Sequence, residues 1–329
     1  MLMSGADHSV EQQTNMADRP RVLVVGGTGH VGAALCRFLS SRGYLVTATS
    51  RSEKPTFSDP RIQHLQLDVL SRQGVEHLPT SLTAIICPWV EQTPDAAPLP
   101  WVGPLVRSFV DLGIRSLIYI SSVWVYGGDP EGLLDESTPL APTSGYGLAH
   151  ARNEAALAES ADEHGVGASI LRMANLVGSD PFFRFRTKLS FVHELMEMAL
   201  YERLIVLKSQ PSTPRNLLPR ALFHHHMEAL LKRQVVEPRV DVFNVGGGST
   251  STIGGLARTV GATAESYHGT QVVIEHPEDS NPKPRFFLDT NRIQSLSGPG
   301  IDDLGYELSM ILEDLVANRR PETGRRGPT

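Results

Sequence analysis

Cysteine is nearly absent from the 329-residue chain, which holds only Cys36 and Cys87. Two thiols cannot build a disulfide framework or a thiolate zinc site, and their scarcity fits a reducing, cytoplasmic setting. Long hydrophobic runs are missing too. No stretch approaches the ~18 uninterrupted apolar residues that span a bilayer, and the polar N-terminus lacks the apolar centre of a secretory signal. A membrane is therefore not an expected partner. Lysine is scarce, with Lys54, Lys188, Lys208, Lys232 and Lys283 the full set. Thirty basic against thirty-six acidic side chains give a net charge of -6, and no basic cluster could track a phosphate backbone, which argues against nucleic acid.

What is present is ordinary globular composition, 40% hydrophobic and 20% charged, at a length of roughly two domain-sized units. Residues 1–19 are polar, lack periodicity and contain a second possible start at Met16; they read as a disordered leader. From Arg21 the pattern becomes regular. The run RVLVV reads as a strand, HVGAALCRFLSSRG as a helix, and YLVTATS, IQHLQLD, LTAIIC and RSLIYISS as further strands, with the helix LVRSFVDLG before the last. Short β-rich runs separated by helices predict a doubly wound α/β fold, because parallel strands need long crossovers.

A loop over 127–145 then leads into the helix YGLAHARNEAALAESADEHG, and ASILRMANLVG reads as a sixth strand. The dinucleotide-binding unit is placed at 20–180 with a returning strand near 240–248. A smaller substrate lobe is expected over 181–239 and 249–319, containing the helices SFVHELMEMALY and ALFHHHMEALLK. Residues 320–329 are polar and turn-rich and read as a frayed tail.

The sharpest local signal is VLVVGGTGHVG, in which Gly26, Gly27, Thr28, Gly29, His30, Val31 and Gly32 join a strand to a helix. Glycines there allow a tight turn and close approach of a pyrophosphate to the helix N-terminus. The second strand ends in Ser50 and Arg51 where a NAD site usually has a carboxylate. Arg51 suits a ribose 2′-phosphate, so NADP(H) is the expected cofactor with NAD(H) possible, although an exposed arginine is also common on surfaces. Asp68, followed by Val69, ends the third strand and is either an adenine contact or a turn cap.

The strand end IYISSVWVYG and the helix start SGYGLAH, taken with the glycine turn, resemble the extended short-chain dehydrogenase/reductase family, of NAD-dependent epimerase/dehydratase type. LRMANLVG and FNVGGGSTSTIGGLA are similar to its later strands, and the resemblance runs from about Arg21 to Leu315. It implies that Ser122, four residues before Tyr126, orients a substrate carbonyl and that Tyr146 transfers the proton. The family pattern is Tyr-x-x-x-Lys; here His150 stands in the lysine position, on the same helix face as Tyr146, in reach of the nicotinamide ribose or a relaying water.

The resemblance further implies that Cys87, Pro88 and Trp89 lie beside the nicotinamide. Trp89 would either cover the cofactor or stack on substrate, or simply pack, and Cys87 reads as a small buried hydrophobe rather than a nucleophile. Val123, Trp124 and Asn175 would line the substrate position. Arg184, Arg186, Arg215 and Arg220 lie in the lobe that would meet a diphosphate, Arg184 and Arg215 being the chosen candidates.

His224, His225 and His226 point in different directions on a helix and do not make a metal site; no metal is expected. The resemblance implies a ketoreductase or epimerase of a nucleotide-activated sugar, paired as a homodimer through the helices after the fourth and fifth strands. The lack of long apolar runs and the reading of Arg51 make the expected enzyme soluble and NADP-preferring. Two other readings stay open: an enzyme of a non-sugar biosynthetic ketone, and a cofactor-binding sensor or scaffold without redox turnover.

Overall fold

The computed structural model describes residues 19–51, 57–81, 83–88, 101–186, 189–233, 235 and 237–318. Residues 1–18 of the expected leader, Trp89, and the tail from 319 lie outside them. The centre is a seven-stranded sheet of β1 (Arg21–Val25), β2 (Leu45–Ser50), β3 (Ile62–Gln66), β4 (Thr83–Ile86), β5 (Ser116–Ser122), β7 (Gly167–Met173) and β11 (Val240–Val245). Between them fall the short strand β6 (Gly132–Leu134) and the lobe strands β8 (Asn175–Val177), β9 (Leu204–Val206) and β10 (Pro214–Pro219). The sheet order is β11-β7-β5-β4-β1-β2-β3, with every pairing parallel.

The continuous apolar character of β1 follows from burial on both faces. Val22 and Val24 enter one core with Leu35 and Leu39 of α1 (His30–Ser41) and with Phe223 and Met227 of α5 (Arg220–Arg233). Leu23 and Val25 enter the opposite core, with Leu105 and Phe109 of α2 (Val102–Asp111) and Leu157 of α3 (Gly145–Glu163). The doubly wound α/β expectation is borne out. The structure also sets α5 against the central sheet, although it falls within the segment read as lobe.

The expected sixth strand is two strands. β7 stays in the main sheet, whereas β8 turns away after Ala174 to pair with β10, which in turn pairs antiparallel with β12 (Thr250–Thr252). Around this small sheet gather α4 (Phe191–Glu197), α6 (Ile253–His268) and α8 (Leu304–Ala317), whose Val192, Val260 and Ile311 share a separate core. Two further strand pairs, β13 (Val273–Glu275) with β9 and β14 (Phe286–Leu288) with β6, edge the structure, and α7 (Asn291–Ser297) packs on α5. A cleft runs between the C-terminal ends of the main strands and this lobe. The order reverses between β1 and β4, the place where open α/β sheets take their ligands. Among the described residues no helix is long and apolar enough to cross a membrane.

Candidate active site

The glycine turn after β1 is shaped by crowding. Gly26 has φ +73°, and a Cβ there would collide with the carbonyl oxygen of Cys87 at the end of β4. A Cβ on Gly27 would stand 2.7 Å from the Ala48 methyl of β2, and one on Gly32 would strike the Gly26 carbonyl. The turn therefore lies flat against both neighbouring strands. Gly29 caps α1 with no side-chain hydrogen bond and no acidic residue follows in the first turn, so first-turn N–H groups are left to an outside acceptor. The geometry suits a pyrophosphate.

Around this cradle the expected cofactor residues are spread unevenly. Ser50 holds His64 at 2.8 Å, and exposed Arg51 ends β2 with its carbonyl accepting from Gln66. Asp68 accepts from the Leu70 N–H at 2.9 Å and so caps a turn, with Val69 half-buried beside it. Cys87 is a buried thiol pushed up to about 12 by burial, as expected of a packing residue, and Pro88 is half-buried beside it.

At the far side of the turn, His30 Nδ1 lies 3.1 Å from Asp180, whose carboxylate also receives Arg186 Nε at 2.7 Å. Arg186 reaches back to donate to the Thr28 carbonyl at 2.6 Å. The lobe is thereby clasped to the glycine turn. His30 and Arg186 hold Asp180 well below the ordinary carboxylate range against the pull of burial. Sequence reading had singled out Arg186 only as a diphosphate candidate; its tie to the turn spans 158 positions and leaves no local signal.

Across the cleft, Ser122 ends β5 and its Oγ accepts the Trp124 N–H at 3.3 Å, starting the short turn Val123–Tyr126. Tyr146 is the second residue of α3, whose N-cap Ser144 accepts from Gly147 at 3.1 Å. Gly147 is needed because a Cβ would collide with the Trp124 carbonyl, and this contact brings the helix start onto the strand end. Tyr146 and Ser122 hydrogen-bond through their side chains; burial pushes the Tyr146 hydroxyl up and the Ser122 contact draws it partly back. Both line a cleft of about 690 Å³ together with His30, Val31, Trp124 and Asn175.

His150 does not reach this cleft. It is 2% exposed, its ring 4.6 Å edge-on from Tyr146, and its Nδ1 lies 3.1 Å from the Tyr119 hydroxyl. Burial depresses its pKa to about 4. The expectation of an imidazole in reach of the ribose or a relaying water is thus corrected: His150 lies on the face of α3 that carries Tyr146 but packs inward against β5, and burial holds it neutral at pH 7. Tyr119, a strand residue 31 positions away, was not foreseen.

Beneath Ser122 a second buried set fixes the strand and helix. Ser121 donates to Glu154, two turns beyond Tyr146, and Glu154 receives Arg172 of β7 at 3.0 Å. Arg172 also donates to the Tyr126 hydroxyl at 3.1 Å, and Tyr126 donates to Asn244 of β11 at 2.7 Å. The strands β5, β7 and β11 are so locked to α3.

In the lobe, Asn175 donates to the Asn216 carbonyl at 3.1 Å while lining the cleft. Arg215 lies 5.3 Å over the Trp124 ring and closes a small recess of about 30 Å³ with Asp129. Arg184 is exposed on a short turn and does not line the cleft. Arg220 is 8% exposed, and its Nε and Nη2 have no partner among the described residues. His224 stacks on Phe38 at 4.3 Å, His225 lies 3.3 Å from the Gly298 carbonyl and His226 meets Ser297 at 2.8 Å. Each has a packing role, and no group of three or more His, Cys, Asp or Glu suited to a metal occurs among the described residues.

This geometry coincides with a family. The model of the NAD dependent epimerase/dehydratase family matches residues 22–94 and 101–212. The chain belongs to this family. The UDP-glucose 4-epimerase of Azospirillum brasilense is 27% identical over 183 residues, covering 50% of this chain and 51% of that protein. The chain spans about half the length of the curated relatives it matches.

The solved UDP-glucuronic acid 4-epimerase of Bacillus cereus, in complex with UDP-glucuronic acid and NAD, superimposes with a TM-score of 0.72 at 18% identity. It covers 90% of this chain and 99% of that one. The UDP-glucose 4-epimerase of Thermotoga maritima with UDP-glucose gives 0.73 at 17%, over 90% and 99%. At these identities the likeness is one of fold. It covers the main sheet and the lobe alike.

Proposed function

We propose that the protein is an NAD(P)-dependent oxidoreductase of the extended short-chain type, a ketoreductase or epimerase acting on a nucleotide-activated sugar. The observation that carries this reading is the Ser122–Tyr146 pair at the edge of the sheet, facing a glycine cradle across one cleft. Sugar nucleotides are favoured because the relatives and fold neighbours are named as UDP-sugar epimerases. A bound nicotinamide supplies or accepts hydride. Gly26, Gly27 and Gly32 keep the cradle open, the first turn of α1 faces the pyrophosphate, and Arg51 favours the 2′-phosphate of NADP(H) over NAD(H).

In the cleft Ser122 holds the substrate oxygen toward Tyr146, which exchanges a proton with it as charge develops. Trp124, Asn175 and Arg215 form the wall for the sugar nucleotide. The two cysteines, both buried and unpaired, support a cytoplasmic setting, and the packed pair α2 and α3 is the proposed homodimer face.

Fluorescence titration with NADPH and NADH, followed by assay of a 4-keto sugar nucleotide and of UDP-sugars, tests the reading. NADPH should bind, and Tyr146→Phe should lower turnover roughly 10²-fold with cofactor affinity nearly unchanged. Binding without any turnover would favour the sensor reading, and no binding would refute the cradle.

A further inference from the structure

A phenol with its ordinary pKa of ~10 needs a nearby cation to lose its proton at neutral pH. Among the described residues, the surroundings of Tyr146 offer none. On its own helix, the position one turn along belongs to His150, which is buried. From β5, the Tyr119 hydroxyl meets His150 Nδ1 at 3.1 Å. Asn153 also hydrogen-bonds Tyr119 through its side chain, while its Oδ1 has no partner, so the amide nitrogen is the donor. Tyr119 therefore accepts from Asn153 and pairs with His150 Nδ1, while burial keeps the imidazole neutral and its Nε2 has no partner among the described residues.

Among the described residues the neighbouring charges are occupied. Glu154 of α3 is closed off by Arg172 of β7 and Ser121 of β5. His30, from the glycine turn, is bound to Asp180. Among the described residues, the end of β4 brings the buried thiol of Cys87 and half-buried Pro88. No lysine occurs between Lys54 and Lys188, and among the described residues lining the cleft none is Lys, Arg, Asp or Glu.

We propose that this site works with a Tyr146 that keeps its proton at neutral pH, because none of the described residues around it supplies the charge that would draw the proton off. The inference rests on the cleft holding a nicotinamide cofactor. In the reduction direction hydride would pass from a dihydronicotinamide to the carbonyl carbon, forming C–H while the C=O π pair moves onto oxygen. That oxygen takes the Tyr146 proton. The ketone is reduced to an alcohol, the dihydronicotinamide is oxidised, and the tyrosinate left behind regains a proton from water. The reverse passes through the same tyrosinate, a fraction of about 10⁻³ at pH 7 for an unassisted phenol, so both directions carry its cost. Tyr119 and His150 are positioning residues: they brace Tyr146 and withhold charge from it.

The test is the ionisation of Tyr146, read as the tyrosinate absorbance of the wild-type chain minus that of Tyr146→Phe, with and without NADPH. No difference signal is expected below about pH 9 in either state. His150→Lys should draw the ionisation down by about two pH units and raise the rate of alcohol oxidation at pH 7 about tenfold, with ketone reduction rising in step. If that variant fails to fold, the neutral His150→Gln serves, and its Tyr146 ionisation should match wild type.

Tyrosinate forming below about pH 8 in the wild-type chain, or an ionisation moved upward by His150→Gln, would overturn the proposal. Cofactor fluorescence in the same samples separates the two readings. Lost NADPH and NADH binding counts against the assigned function, while retained binding with a neutral-range tyrosinate counts against this inference alone.

Discussion

Arg51 is a single side chain on which cofactor choice turns. It stands exposed just after β2. Its guanidinium suits a 2′-phosphate, and an exposed charge-assisted contact of this kind is worth about 1–2 kcal/mol. Arg51→Ala should weaken NADPH about tenfold in a fluorescence titration while changing NADH little; equal losses would remove Arg51 from the site.

At this scale the sequence was legible wherever the signal was local. The glycines, Ser122 and Tyr146 lie in short contiguous motifs, and the chain places Ser122 and Tyr146 on one cleft with His30 and Val31 of the glycine turn. The partners that set their chemistry were not legible. Tyr119 meets His150 across 31 positions, and Arg186 meets Thr28 across 158. Composition and periodicity carry no record of such pairings, so the neutral state of His150 emerged only with the fold.

Elements explain how Ser122 and Tyr146 stay in register. The strap between α3 and β7 is a buried ion pair, with Arg172 and Glu154 both nearly inaccessible. Removing one partner strands a charge, which costs about 3–5 kcal/mol, whereas replacing both with neutral groups costs far less. Glu154→Gln should therefore lower unfolding free energy in urea by about 3 kcal/mol, and adding Arg172→Met should recover most of that. If the double variant is no better than the single, the pair is not the strap.

Strand and helix identities could be read because β1 is buried on two faces and α1 on one, leaving distinct periodicities. The break of the expected sixth strand at Ala174 could not. LRMANLVG is uniformly strand-like, and only the pairing of Leu176 with Leu218 takes its second half into the lobe. The same blindness set α5 in the lobe: its apolar residues do not say which core they fill.

The whole molecule carries several imidazoles that folding holds neutral. His150, His193 and His226 are each no more than 2% exposed, and burial lowers their pKa values to about 4, 3 and 4. In the unfolded chain each returns toward 6.5, so between pH 6.5 and about 4 the unfolded state binds more protons than the folded one. Stability is therefore fully present above pH 6.5 and falls as the solution is acidified, by up to about 1.4 kcal/mol per pH unit for each group. Glu307, raised by burial, takes up a proton early in the folded state and opposes this weakly. Asp180, held low by His30 and Arg186, adds its own loss only below the ordinary carboxylate range.

The histidine window can be isolated at His226, far from the cleft on α5. Its partner Ser297 also donates to the Ile293 carbonyl at 3.0 Å, so replacing the imidazole leaves no stranded hydroxyl. His226→Leu should flatten the dependence of unfolding free energy on pH between about 6.5 and 4 by close to one proton, measured by urea titration at a series of pH values. An unchanged slope would mean that His226 already titrates freely in the folded protein and that the packing of α5 against α7 is looser than its burial implies.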